Sequence, residues 1–334
     1  MMKTVTISDV AKAAGVSVTT VSRYLNGNFA KMSTKTQAKI ETVIHRLNYH
    51  PSASARRLRT NQSKVIGVIV GDISNVFSSL LFSGISEVLH PYDYSVLLLN
   101  ANNSADDEQK GINRLMEQRV DGFIIQPSQT TIDDYQMLLK EKVPLITVDR
   151  DLGNVPASVG KVMTNNLAAS QQFGTELIAA GYRQILLISS TTVSISAQAP
   201  RVVGFKAAID GTQTTVTEIN IAGHPDNWLT EQIQEKVANF SGKTVIVSLM
   251  GPLLFKTLAS LRSLKLAFPD QVGLASFDDW NWSQFVGDGI DLMEQDPKEI
   301  GRSAAAMLLQ SIKDPALVLK TKLVPAIRVA GHSF

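Results

Sequence analysis

The chain has 334 residues, 44% of them hydrophobic, with five scattered histidines and no cysteine. It is too long for one ordinary domain, and it excludes a disulfide framework and a thiolate metal site. The net charge of +2 hides a split: residues 1–64 hold eleven Lys or Arg against only Asp9 and Glu41, while the remainder holds 21 against 28. A basic head on a mildly acidic body points to a polyanionic partner for the head, because each neutralised phosphate releases counterions. The opening MMKTVTISDV has no apolar signal region, and no run approaches the roughly 18 apolar residues of a membrane span. A cytoplasmic chain without a membrane partner is expected.

In chain order, Thr6-Ile7-Ser8-Asp9 has the spacing of a capping box, in which Thr6 accepts from an early backbone N–H and Asp9 reaches back. A short helix carrying Val10, Ala11 and Ala14 follows, and Gly15 breaks it, being free of the Cβ penalty in the turn. Ser17 is a good N-cap for a second helix. Its inward residues Val21 and Leu25 are four apart, which leaves Val18, Thr19, Ser22 and Arg23 on the remaining surface. A third helix from Ser33 places Ile40, Val43, Ile44 and Leu47 on one face. Two short helices joined by a glycine turn and closed by a third form a helix-turn-helix, whose second helix offers its N-terminal side chains to the major groove. Arg23 is then a base reader, worth about 1–3 kcal/mol of discrimination when bidentate to guanine, and small Val18 and Thr19 suit thymine methyls.

The segments TISDVAKAAGVSVTTVSRYLN and KMSTKTQAKIETVIHRLNYHPSASARRLR resemble the head of the lactose-repressor (LacI/GalR) family of bacterial transcription regulators over about sixty residues. By that resemblance Val18 and Thr19 occupy the specificity positions and Arg23 that of the base-reading arginine. Ser17, Ser22 and Asn26 serve as framework and backbone contacts, and Thr6, Ser33 and Tyr49 are further DNA contacts. PSASARRLR, too short to be a stable helix alone, matches the hinge helix, with Ala55, Leu58 and Arg59 in the minor groove and Leu58 as the wedge that kinks the duplex. Arg56 and Arg57 add phosphate contacts. The organisation expected is a head over 1–50, a hinge and linker over 51–63, and a body over 64–334, the head binding a double-stranded operator at the nucleoid.

From Lys64 the runs VIGVIVG, YSVLLLN, GFIIQP, PLITVD, QILLIS, TVIVSL and VGLASF alternate with helical stretches such as Leu80–Leu89 and Asn166–Ile178. Continuous apolar strands between helices mean parallel sheets covered on both faces, and seven runs fit an α/β core of two doubly wound lobes. Ligands in such sheets bind beyond the carboxyl ends of the strands, at Asp72, Asn75, Gln126, Asp149, Arg150, Ser189, Met250 and Asp278.

The resemblance extends over this core, which is similar to periplasmic sugar-binding proteins. GDISNVFSSLLFSGISE implies effector contacts from Asp72, Asn75 and Phe77, APRVVGF from Arg201, and ASFDD from Asp278, with Gln126, Met250 and Gln295 completing the set. Asp149 and Arg150 are either pocket residues or a local ion pair; Trp228, Trp280 and Trp282 either stack on a sugar or pack. Met250-Gly251 stands where relatives carry Asn-Asp, and Asn165-Asn166 replaces Asp-Asn. With Arg150 and Arg201 retained, the pocket tilts toward an anionic effector, a sugar acid or sugar phosphate instead of a neutral sugar. Arg201→Ala is expected to abolish the effector response and leave folding intact.

Enzyme readings fail on motifs. SGKT at 241–244 has Val237 where a phosphate loop needs glycine and leads into a strand; G-x-S-x-G and H-E-x-x-H are absent, and no metal or cofactor is expected. The expected protein is a homodimeric repressor on a pseudo-palindromic operator, gated by a small sugar-type effector and controlling carbohydrate metabolism. The alternatives are a family member controlled by a protein co-regulator, and a sugar-binding α/β protein with an incidental basic arm.

Overall fold

The computed structural model describes residues 5–25, 27–30, 32–49, 62–191, 197–279 and 281–334. They fall into two compact units, within residues 1–63 and 64–334.

In the first unit, Thr6 Oγ1 accepts from Asp9 N at 3.3 Å and Asp9 accepts from Thr6 N at 2.9 Å. This closes the capping box at the start of α1 (Ile7–Ala14). Gly15 ends the helix at φ 60°, a left-handed conformation that costs glycine little. Ser17 Oγ then accepts from Thr20 N at 3.1 Å and opens α2 (Val18–Leu25). Ser33 accepts from Thr36 N at 3.2 Å and opens α3 (Thr34–Leu47). Val10, Ala11, Ala14, Val21, Ile40, Val43 and Tyr49 form the core, with Leu25, Ile44 and Leu47 packed around it.

The second unit opens with β1 (Val65–Val70), α4 (Val76–Leu89), β2 (Ser95–Asn100), α5 (Ala105–Glu117), β3 (Gly122–Ile125), α6 (Gln136–Lys140), β4 (Leu145–Val148) and β5 (Val159–Thr164). The chain crosses into a second lobe built of α7 (Asn166–Ala179), β6 (Gln184–Ser189), α8 (Gln198–Ala208), β7 (Thr215–Asn220), α9 (Trp228–Ala238), β8 (Thr244–Ser248), α10 (Gly251–Leu264), β9 (Gly273–Phe277) and β10 (Asp291–Glu294). It returns to the first lobe for α11 (Pro297–Lys313) and β11 (Thr321–Val324), and ends in the second with β12 (Ile327–Val329). The sheets run β11-β5-β4-β3-β1-β2 and β12-β10-β9-β8-β6-β7. Every pairing is parallel except β10–β12. A strand entering the second lobe after β11 starts at the end where β10 finishes, so it must run against it.

Both sheets reverse their order between the first and third of their five principal strands, and ligand crevices form at such switch points beyond the carboxyl ends. Each lobe also presses one helix pair together through glycines. A Cβ on Gly84 of α4 would stand 2.0 Å from Lys298 O of α11, and one on Gly204 of α8 would stand 2.4 Å from Leu167 O of α7. The three crossovers are tied to one another. Thr164 Oγ1 donates to Gln295 Oε1 at 2.7 Å, Asn165 N to Val324 O at 3.2 Å, and Ala326 N to Asn165 Oδ1 at 2.8 Å.

Candidate nucleic-acid surface and ligand cleft

The first turns of α2 leave Val18, Thr19 and Arg23 exposed and Ser22 half-buried, while Val21 on the opposite side is fully buried. That division follows from helix periodicity. The Ser17 hydroxyl is engaged with Thr20, and Thr6 and Ser33 cap α1 and α3. All three remain exposed. Tyr49 is only 7% exposed and belongs to the core of the head, where burial raises its phenol pKa. Asn26, Ala55, Arg56, Arg57, Leu58 and Arg59, and with them the whole expected hinge helix, lie outside the described residues.

In the second unit a cavity of about 80 Å³ is lined by Asn75, Phe77, Gln126, Asp149, Arg150, Ala197, Gln198, Arg201, Met250, Gly251, Asp278 and Gln295. It draws on the carboxyl ends of β1, β3 and β4 from one lobe and of β8, β9 and β10 from the other. A larger chamber of about 520 Å³ shares Asp149 and Ala197 and continues past Met163, Asn166, Leu167 and Leu323.

Arg201, on α8, is 1% exposed. Its Nε donates to Asn166 Oδ1 at 2.8 Å, its Nη1 to Leu249 O, and its plane lies 4.1 Å above the Phe277 ring. The remaining nitrogen, Nη2, is buried without a hydrogen-bond partner among the described residues. Burial lowers the guanidinium's pKa, against the pull of Asp278 and Asp149. Asp278, also 1% exposed, accepts from Gln295 N at 2.7 Å and Gln295 Nε2 at 2.6 Å. Burial raises its pKa, opposed by Arg201. Asp149 accepts from Gln126 Nε2 at 2.7 Å, and Gln126 Oε1 in turn accepts from Gly71 N at 2.8 Å. Arg150 donates to Pro127 O at 2.8 Å and to Asn103 Oδ1. Among the described residues neither arginine makes an ion-pair contact, so the local Asp149–Arg150 bridge is absent. Behind Arg150, the fully buried Glu108 accepts from Tyr135 Oη and Ser128 N, both at 2.5 Å. Burial holds its carboxyl above the usual range.

Nine of the residues singled out in the sequence thus meet around one cavity, whereas Asp72, Ser189, Trp228 and Trp282 do not line it; Ser189 Oγ donates to Glu218 Oε1 at 2.7 Å at the end of β6. Asp72 turns back on its own loop, accepting from Ser74 N at 2.9 Å and Ser74 Oγ at 2.7 Å. Trp228 stacks on His224 with ring centroids 3.7 Å apart, and Trp282 on Phe255 at 4.3 Å, so both are packing residues; Trp280 lies outside the described residues. Ala197 and Gln198 line the cavity without having been singled out, and Gly251 joins them beside Met250. Gln198 was findable, since it stands three residues before Arg201 on one helix and therefore shares its face.

Residues 6–52 match a family model described as "Bacterial regulatory proteins, lacI family". Residues 63–223 match "Periplasmic binding proteins and sugar binding domain of LacI family", and residues 175–334 match "Periplasmic binding protein-like domain". The HTH-type transcriptional regulator KdgR of Bacillus subtilis is 32% identical over 92% of this chain and 91% of its own length. The regulator PtxS of Pseudomonas putida is 32% identical over 92% and 90%. The Lac repressor dimer bound to operator and the anti-inducer ONPF superposes with a TM-score of 0.84 over 99% of each chain at 22% identity, a likeness of fold. With a helix-turn-helix carrying an exposed recognition helix and a two-lobed core closing on buried polar residues, the chain belongs to the LacI family of bacterial DNA-binding transcriptional regulators.

Proposed function

We propose that the protein is a homodimeric, ligand-gated repressor of carbohydrate-metabolism genes, reading a pseudo-palindromic operator and responding to a small sugar-type effector, a sugar acid or sugar phosphate, in the inter-lobe cavity. The observation that carries this reading is the meeting of Arg150, Arg201, Asp149 and Asp278 around one cavity in a chain that also exposes Val18, Thr19 and Arg23 on α2. Self-association is supported by exposed aromatic surface on the second lobe. Phe255 is 57% and Phe285 80% exposed, beside an apolar groove lined by Leu258, Leu266, Phe268 and Val286, the kind of patch that marks interfaces. Ligand contacts that differ between open and closed lobes would shift operator affinity by a coupling of typically about 1–3 kcal/mol. Selection of a binding site from random DNA, followed by titration with and without candidate effectors, tests the reading. Equal affinity for random and selected DNA overturns the repressor role. Operator binding that no sugar derivative alters moves control to a protein co-regulator.

A further inference from the structure

The charges around the cavity are distributed unusually. Asp149 and Asp278 are hydrogen-bonded by the neutral amides of Gln126 and Gln295, and Arg150 and Arg201 by the neutral oxygens of Pro127, Asn103, Asn166 and Leu249. The arginine charges are therefore not met by contacting carboxylates. One guanidinium nitrogen, Arg201 Nη2, is buried with nothing to donate to among the described residues, and leaving such a donor unmet is costly. Arg201 is bonded to Leu249, the residue before Met250, which forms the N-cap of α10 without a side-chain cap. The fourteen-residue α10 thus brings the positive end of its dipole to the same wall.

We propose that the effector is a polyhydroxy monocarboxylate whose carboxylate seats on Nη2 of Arg201 beside the first turn of α10, with its hydroxyls donating to Asp149 and Asp278. This rests on the effector reading of the cleft and assigns the ligand's charged end. A carboxylate meets the guanidinium's charge as well as its free N–H, which a neutral hydroxyl does not, and this favours the carboxylate. A phosphate dianion fits poorly, because the cavity lining contains no lysine and holds two carboxylates, Asp149 and Asp278, that repel a second negative charge. Met250 is the selecting residue. Its sulfur accepts from Gln198 Nε2 at 3.4 Å, and it keeps the wall free of a side-chain carboxylate that would occupy Arg201. The carbon chain has room to run past Asp149 and Ala197 into the chamber of about 520 Å³.

The test is a thermal-shift and calorimetric titration of the full chain with D-gluconate, D-galacturonate, D-glucose and D-glucose 6-phosphate. At least one of the two acids is expected to stabilise it, with glucose and glucose 6-phosphate inert at the same concentration. Arg201→Lys, which keeps the charge but loses the fork, and Met250→Asp, which adds a competing carboxylate, should each weaken acid binding about tenfold or more. Unchanged affinity in a folded Met250→Asp variant overturns the assignment, as does stabilisation by the neutral or phosphorylated sugar alone, or by no probe. Operator binding by the same preparation is measured in parallel. A neutral or phosphorylated ligand that alters it would leave the gated-regulator reading standing while removing the carboxylate seat.

Discussion

The recognition helix and the cleft handle polar side chains in opposite ways. On α2, Val18, Thr19 and Arg23 stand exposed, and in the proposed reading their partners come from another molecule. In the cleft, Arg201, Asp278 and Asp149 are each at least nine-tenths buried and already bonded within the fold, while Arg201 Nη2 is buried without a partner among the described residues. A surface reader is able to change identity at little cost to folding, whereas a cleft residue holds part of the fold. In the proposed reading, specificity for DNA and specificity for ligand are therefore under different constraints in one chain.

The sharpest way to break this contrast is at the two arginines. Arg201→Ala strands Asn166 Oδ1 and Leu249 O and opens a void, so the core should lose about 2–4 kcal/mol in denaturant unfolding. This corrects the sequence-based expectation that folding would be untouched, because that expectation did not foresee a guanidinium 1% exposed. Arg23→Ala should leave stability within about 0.5 kcal/mol but remove about 1–3 kcal/mol of base discrimination at one operator position; equal losses of stability in the two variants would erase the distinction. Tyr135→Phe, which takes from Glu108 its hydroxyl donor, should cost about 1–2 kcal/mol of core stability, measured by chemical denaturation, with operator selectivity unmoved.

The smallest effect is one of pH. Burial, with Asp279 and Asp278 nearby, pushes the Glu294 carboxyl up to about 7. A carboxyl raised in the folded state favours its protonated form there, so its contribution is present below the ordinary value of 4.5 and lost as pH rises toward about 7. Glu294→Gln should therefore gain thermal stability relative to the parent between pH 5 and pH 8. A constant difference across that range would show that Glu294 is not held protonated.

How far the sequence could be read follows the same physical division. The seven Val/Ile/Leu runs became β1, β2, β3, β4, β6, β8 and β9, all central strands apart from the edge strand β2. The five strands it did not reveal are β7, β11 and β12 at sheet edges, and β5 and β10 next to them; partly exposed positions on β5 and β7 admit Lys161 and Glu218, and β10 carries a buried Asp291 held by Arg328 and Ser333. The lobe count and helix-turn-helix were legible because apolar periodicity encodes them. In the cleft, strand-end position found Gln126, Asp149 and Asp278, but it also nominated Asp72, which a local Ser74 turn absorbs. Pairwise hydrogen bonding such as Gln295 to Asp278, across 17 residues of sequence, leaves no periodic trace.

The crossovers have a consequence for the life of the chain before it is finished. The first lobe's core needs Ile300, Ala304, Ala305 and Leu308 of α11, yet β5 ends at Thr164 and α11 begins at Pro297. At a synthesis rate of roughly 5–20 residues per second, about ten seconds separate the emergence of the first sheet from that of its covering helix. During that interval the apolar face of β1, β3 and β4 is covered only in part, by Phe77, Leu81, Ile85 and Leu89 of α4, and a second lobe of like strand order is being made. The newborn protein is thus most vulnerable to mispairing and to chaperone capture midway through translation, and a chain stopped before residue 297 contains no complete first lobe.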